Sequence, residues 1–132
     1  MKLDCLAFLG ISEHFSEEEI MVQKMAYKFV VNEVMPTIEE HYKLGTFPKD
    51  LIEKFSTLGF LGCNLPEKYG CGGMSNIAYG LICQELERAD SGIRSFVSVQ
   101  GSLVMYPIFA YGSEEQKTFW LPKMAKGEKI GC

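Results

Sequence analysis

The sequence predicts an all-α domain, and three observations carry that reading. Apolar residues recur at spacings of three and four, as Val22, Met25, Ala26, Phe29 and Val30 do, which puts them on one face of a helix. Two capping boxes are present, Ser16-Glu17-Glu18-Glu19 and Ser113-Glu114-Glu115-Gln116. In each, the serine accepts a backbone N–H and the residue three places on reaches back to cap the serine's own N–H. No run alternates apolar and polar residues as a half-buried strand would.

Taken in order, residues 1–15 read as an N-terminal arm, with a short apolar turn from Leu3 to Ile11, and residues 16–132 as one helical domain. Ser16 starts the first helix, with Phe15 and Ile20 placed as a hydrophobic staple. Pro36 is expected to kink or restart it, since proline cannot donate to the carbonyl of Asn32. Gly45 is the expected stop. Pro48 fits the first turn of a second helix, whose apolar face is Leu51, Ile52, Phe55 and Leu58, and Gly59 ends it. Glycines crowd from Gly59 to Gly73, so that stretch is a long loop. Gly70-Cys71-Gly72-Gly73 has neither dinucleotide-fold nor phosphate-loop spacing, and it reads as a tight connector.

Ser75 caps a third helix reaching about Ala89. Its stripe of Ala78, Leu81 and Ile82 includes Glu85, which Arg88 can satisfy three residues on. Asp90-Ser91-Gly92 opens the next helix, which runs toward Met105. Pro107 restarts the chain and Gly112 ends that piece. The helix opened by Ser113 carries Phe119, Trp120 and Leu121, and Pro122 and Gly127 are expected to break it up.

Composition narrows the functional classes. The chain has 132 residues, 47% hydrophobic and 23% charged, with a formal net charge of −4. That is one soluble domain with material for a core, and it does not suit a nucleic-acid binder. Cys5, Cys63, Cys71, Cys83 and Cys132 form no CxxC pair, and the two histidines complete no zinc pattern, so no metal site is expected. An odd number of cysteines without a framework fits a reducing compartment. No apolar stretch is long enough to span a membrane. Asp4 and the missing small-residue cleavage pattern argue against a signal peptide at the start. His14 and His41 sit in no motif, and the cysteines have no basic partner nearby in sequence; no catalytic residue is assigned.

One stretch offers chemistry. Ser91, Ser95, Ser98 and Ser102 are spaced four, three and four apart, so they share a helix edge, with Arg94 beside it. Arg94 falls in the first helical turn, where a cation is poorly placed and an anion well placed. Two readings are open. Free N–H groups, the guanidinium and the hydroxyls converge on an anionic group such as a carboxylate. Alternatively, the serines only allow close packing and Arg94 pairs with Glu87 or Asp90.

Three longer segments carry a resemblance. Leu65-Pro66-Glu67-Lys68-Tyr69-Gly70-Cys71-Gly72-Gly73-Met74-Ser75 resembles the loop of the acyl-CoA dehydrogenase N-terminal domain. So does Tyr111-Gly112-Ser113-Glu114-Glu115-Gln116-Lys117 with the following Trp120-Leu121-Pro122-Lys123-Met124-Ala125-Lys126-Gly127-Glu128. The segment from Gln84 through Arg94 to Gln100 is similar to glutaryl-CoA dehydrogenase, the branch acting on a dicarboxylic acyl-CoA.

The resemblance covers about residues 15–132 and implies a helical front domain. It implies FAD in the full-length protein, bound mostly by domains absent from this chain, and removal of hydrogens from the α and β carbons of an acyl-CoA thioester. The usual glutaryl branch adds decarboxylation to crotonyl-CoA; non-decarboxylating relatives share the substrate. The resemblance places Arg94 on the distal carboxylate, Ser95 and Ser98 in the same pocket and Glu87 near it, so it favours the anion reading. It gives no catalytic base here: Glu85 and Glu87 do not match the glutamate that abstracts the α-proton. An electron-transfer flavoprotein partner and a homotetramer are implied, in the bacterial cytoplasm or the mitochondrial matrix. Gly101 and Tyr106 depart from the serine and histidine expected in close relatives, which leaves acyl preference open. The alternatives are a non-catalytic helical binding or vestigial domain, and an acyl-CoA dehydrogenase of different specificity.

Overall fold

Helix starts in this chain are set by side chains that accept otherwise unpaired backbone N–H groups. The computed structural model describes residues 10–132; the expected apolar turn lies mostly outside the described residues. A short 3₁₀ turn at Ile11–His14 leads to α1, Glu17–Phe29. Ser16 Oγ accepts from Glu19 N–H at 3.2 Å and Glu19 Oε2 accepts from Ser16 N–H at 2.9 Å, completing the capping box.

Proline does not break the first helix. A π turn at Val30–Val34 carries α1 into α2, Met35–Leu44, and the Met35 N–H donates five residues back to Val30 O. The wider turn lets the helix pass Pro36, which has no N–H to donate. Gly45, at φ 62°, ends α2 in the left-handed region that only glycine enters freely. Pro48 lies in the lead-in turn, its carbonyl accepting from Leu51 N–H at 3.1 Å, and α3 spans Leu51–Thr57.

The glycine-rich stretch closes on itself around one 3₁₀ turn, Glu67–Tyr69. Met74 N–H donates to Cys63 O at 2.8 Å and Gly73 N–H to Leu65 O at 2.8 Å. A Cβ on Gly72 would lie 2.6 Å from Cys63 O, so only glycine fits that approach.

Ser75 then caps α4, Asn76–Ala89, accepting from Ala78 N–H at 3.0 Å. Asp90 alone separates α4 from α5, Ser91–Ser98; its carboxylate accepts from Ile93 N–H at 2.9 Å. A second π turn, Val99–Met105, leads into α6, Tyr106–Tyr111, just before Pro107, with Tyr106 N–H donating to Gly101 O. After Gly112 comes α7, Glu114–Ala125, opened by the Ser113/Gln116 capping box.

Pro122 was expected to break the last helix, and it does not: it lies inside α7. Leu121, Met124 and Ala125 are buried on the same turn, and that apolar contact holds the helix through the lost hydrogen bond.

Two cores result. The larger joins α1 to α5 around Phe29, Phe55 and Phe60, with Val30, Val34, Ile82, Leu86 and Val97. The smaller lies under α7 and gathers Leu65, Tyr69, Cys71, Met105, Leu121 and Met124. Glu85 is buried at 6% exposure and, as expected, receives Arg88, whose Nε lies 2.9 Å from Oε2.

Candidate functional site

The helices α4 and α5 pack side by side because Asp90, extended at φ −165°, turns the chain back in one residue. That hairpin lays a polar seam along its surface. Glu87 of α4 faces Ser91 and Arg94 of α5 across it. Arg94 Nε donates to Glu87 Oε2 at 2.5 Å, and Ser91 Oγ donates to Glu87 Oε1. Arg94 Nη1 donates to Ser98 Oγ at 3.2 Å, and Ser98 Oγ donates to the carbonyl of Ser95 at 3.2 Å.

All four residues singled out from sequence therefore fall on one seam. Arg94, Glu87 and Ser98 touch through their side chains; Ser95 joins through its backbone carbonyl. The predicted pairing of Arg94 with Glu87 is present, so the cation has a partner. The pair is half-exposed, with side-chain exposures of 35% and 44%. Arg94, then Ser91, hold the Glu87 carboxyl below its ordinary pKa, and the bond to Glu87 raises that of the guanidinium. Both stay charged at neutral pH.

The seam extends further than sequence reasoning traced it. Tyr79 and Cys83 precede Glu87 by eight and four residues, so they line the same face of α4. Tyr79 Oη and Ser102 Oγ share a hydrogen bond of 2.8 Å. Burial raises the pKa of the Tyr79 hydroxyl and the Cys83 thiol, so both stay protonated in the seam. The i, i+4, i+8 spacing back from Glu87 was the signal that could have found them.

Other candidates separate from this site. Burial pushes Cys63 up to about 12 and Cys71 to about 11, which makes them structural thiols. His14 is exposed, and His41 Nδ1 bonds Thr46 Oγ1 at 2.8 Å, apart from the seam. Among the described residues no group of three metal-ligating side chains occurs. The glycine loop does not fit a flavin diphosphate: Cys63 O meets Gly72, and Glu67 Cγ would lie 2.7 Å from a Cβ on Gly73. Protein already fills the space beside Gly72 and Gly73, so neither is assigned to a cofactor.

Comparison with known proteins agrees with this architecture. The family model of the acyl-CoA dehydrogenase N-terminal domain matches residues 16–128. An acyl-CoA dehydrogenase of Bacillus subtilis is 34% identical over 119 residues, covering 90% of this chain and 31% of that protein. The human mitochondrial short-chain specific acyl-CoA dehydrogenase is 31% identical, covering 92% of this chain and 29% of its own. The chain thus spans less than a third of the length of these curated relatives. Among solved structures, glutaryl-CoA dehydrogenase from Mycobacterium smegmatis aligns with a TM-score of 0.87 at 48% identity, covering 93% of this chain and 32% of that one. A second structure of a glutaryl-CoA dehydrogenase from that organism, in complex with FADH2, aligns at 0.84 and 46%, covering 88% and 30%. Fold, capped helices and family model agree, and the chain belongs to the acyl-CoA dehydrogenase N-terminal domain family.

Proposed function

We infer that this domain supplies the distal-carboxylate pocket of an FAD-dependent acyl-CoA dehydrogenase of glutaryl type. The observation that carries this reading is the Arg94 guanidinium, held half-exposed on the seam by Glu87 at Nε and Ser98 at Nη1. Among the described residues Nη2 has no partner, so that edge is open to a second carboxylate. Glu87 and Ser98 fix the guanidinium before substrate arrives, which lowers the ordering cost of binding. Glu87 also repels an incoming carboxylate; its bonds to Arg94 and Ser91 offset that charge. A plain acyl chain would cover the same cation without pairing it, and that loss discriminates between substrates. The likeness to two glutaryl-CoA dehydrogenase structures supports this choice of acyl group.

In such an enzyme a bound flavin would supply the hydride acceptor for dehydrogenation. The residues described here provide neither its cradle nor the base. The chain alone is therefore expected to retain no FAD and to dehydrogenate no acyl-CoA; flavin that co-purifies with it stoichiometrically would overturn this. Electron-transfer flavoprotein as oxidant, tetrameric assembly and a bacterial cytoplasmic or mitochondrial matrix setting belong to the same reading. Intact-mass measurement of the native gene product shows whether further domains accompany this one.

Arg94→Ala in the full-length gene product tests the pocket. Loss of charge-assisted hydrogen bonds should lower kcat/KM for glutaryl-CoA about 100-fold and leave butyryl-CoA within a few-fold. The observed Arg94–Glu87 pair favours a second reading, in which Arg94 only ties α5 to α4. That reading expects a lower Tm and an unchanged substrate ratio.

A further inference from the structure

A second polar groove lies between α1 and α4, on residues the substrate seam does not use. It encloses roughly 420 Å³ and is lined by Gln23, Lys24, Tyr27, Lys28, Gln84, Glu85 and Arg88. Three cations stand there against one carboxylate, in a chain whose net charge is −4. The carboxylate is already engaged. Glu85 Oε2 receives both Nε and Nη2 of Arg88, each at 2.9 Å, and the Arg88 guanidinium stacks over the Tyr27 ring, 4.4 Å from its centroid. Arg88 is thereby clamped between a buried acid and an aromatic face, and its Nη1 has no hydrogen-bond partner among the described residues.

Lys24 and Lys28 are different. They are one turn apart on α1, a like-charged i, i+4 pair that disfavours the helix. Neither forms an ion pair among the described residues. An unfavourable pair of cations retained on a groove wall opposite a fixed guanidinium is a local charge imbalance that a ligand would cancel.

We propose that this groove binds an acidic segment of a partner protein through Lys24, Lys28 and Arg88. Lys24 and Lys28 stand one turn apart on α1 and Arg88 faces the same groove from α4, so the cations are spread over two helices and spaced carboxylates suit them better than a single phosphate. Side chains two apart on an extended segment are about 6.6 Å apart, close to the separation of about 6 Å between residues one helical turn apart. The Lys24 and Lys28 stems and the Tyr27 ring give the segment an apolar wall, and the Gln23 and Gln84 amides offer hydrogen bonds to its backbone.

Fluorescence anisotropy with a labelled heptapeptide of alternating glutamate and valine tests the site on the full chain. The peptide should bind, weaken about tenfold or more between low salt and 0.3 M salt, and lose about tenfold or more in Lys24→Glu/Lys28→Glu. The alternating glutamine–valine peptide should not bind. Arg88→Met, judged beside an unchanged helical circular dichroism spectrum, should weaken binding several-fold. Inorganic phosphate at matched ionic strength should not displace the peptide. Failure of the glutamate peptide to bind, equal binding to the double variant, or displacement by phosphate would each overturn the proposal. The site is separate from Arg94, so an unchanged substrate ratio in Arg94→Ala leaves this test unaffected.

Discussion

The two cores of this domain are held by different means. The larger is ringed by aromatics: Phe29 meets Phe55 edge-on at 5.7 Å and Phe60 at 5.8 Å, and Phe96 lies 6.0 Å from Phe55. Apolar area is its main support. The smaller core beneath α7 has less to bury and is tied by polar clasps. Gln100, 1% exposed, donates through Nε2 to Lys129 O at 2.9 Å and Met124 O at 3.3 Å, and accepts from Gly131 N–H at 2.9 Å. Tyr69 Oη donates to Glu114 Oε2 at 2.9 Å, and this bond lowers the Glu114 pKa. Where buried area is scarce, satisfied buried hydrogen bonds select the arrangement.

That contrast can be broken at its strong end first. Phe55→Ala empties a fully buried position in the aromatic ring and should cost about 3–5 kcal/mol, lowering the single thermal transition of the whole chain. Gln100→Ala removes three bonds from a buried site and should cost about 2–3 kcal/mol. Its signature is local: hydrogen exchange should quicken in residues 121–131 before α1 and α4 respond. If both variants loosen both regions equally, the cores are one cooperative unit and the distinction fails.

The helix caps give a smaller and sharper version of the same comparison. Ser75 caps α4 and also donates to Glu19 Oε1 at 2.6 Å, joining the starts of α1 and α4 beside the large core. Ser113 caps α7 in the open. Ser75→Ala should cost about 1–2 kcal/mol and Ser113→Ala about 0.5–1 kcal/mol, read from denaturant midpoints. The smallest effect is one of pH. Hydrogen bonds from Ser75, then Ser16, hold the Glu19 carboxyl below its ordinary value of 4.5. A lowered folded value means the stabilisation is complete above 4.5 and disappears as pH falls through the folded value. Thermal melts of the wild type and Glu19→Gln should therefore differ at neutral pH and converge in acid.

Much of the fold was legible because it is written in local chemistry. Ser16, Ser75, Ser113, Gly45 and Gly59 each act within a few residues of their own position, and each does what its neighbours imply. The same holds for the Glu85–Arg88 pair and for the serine edge of α5. What escaped depends on distant partners. Pro122 is tolerated because Leu121 and Met124 reach a core built by Leu65 and Tyr69, over fifty residues earlier. Gln100 reads as a stray amide in an apolar run until residues 129 and 131 come back to it. The Tyr79–Ser102 bond required knowing that α4 and α5 lie against each other.

Each π turn holds one residue more than an α-helical turn needs, and each stands just ahead of a proline. Counted as angle, one surplus residue rotates all that follows by about 100°. The two long helices therefore each carry two faces set in different directions, with Arg94 on the first part of one and Tyr106 and Phe109 on the second. A single deletion within 99–105 would change the aim of the second part while leaving the first where it is.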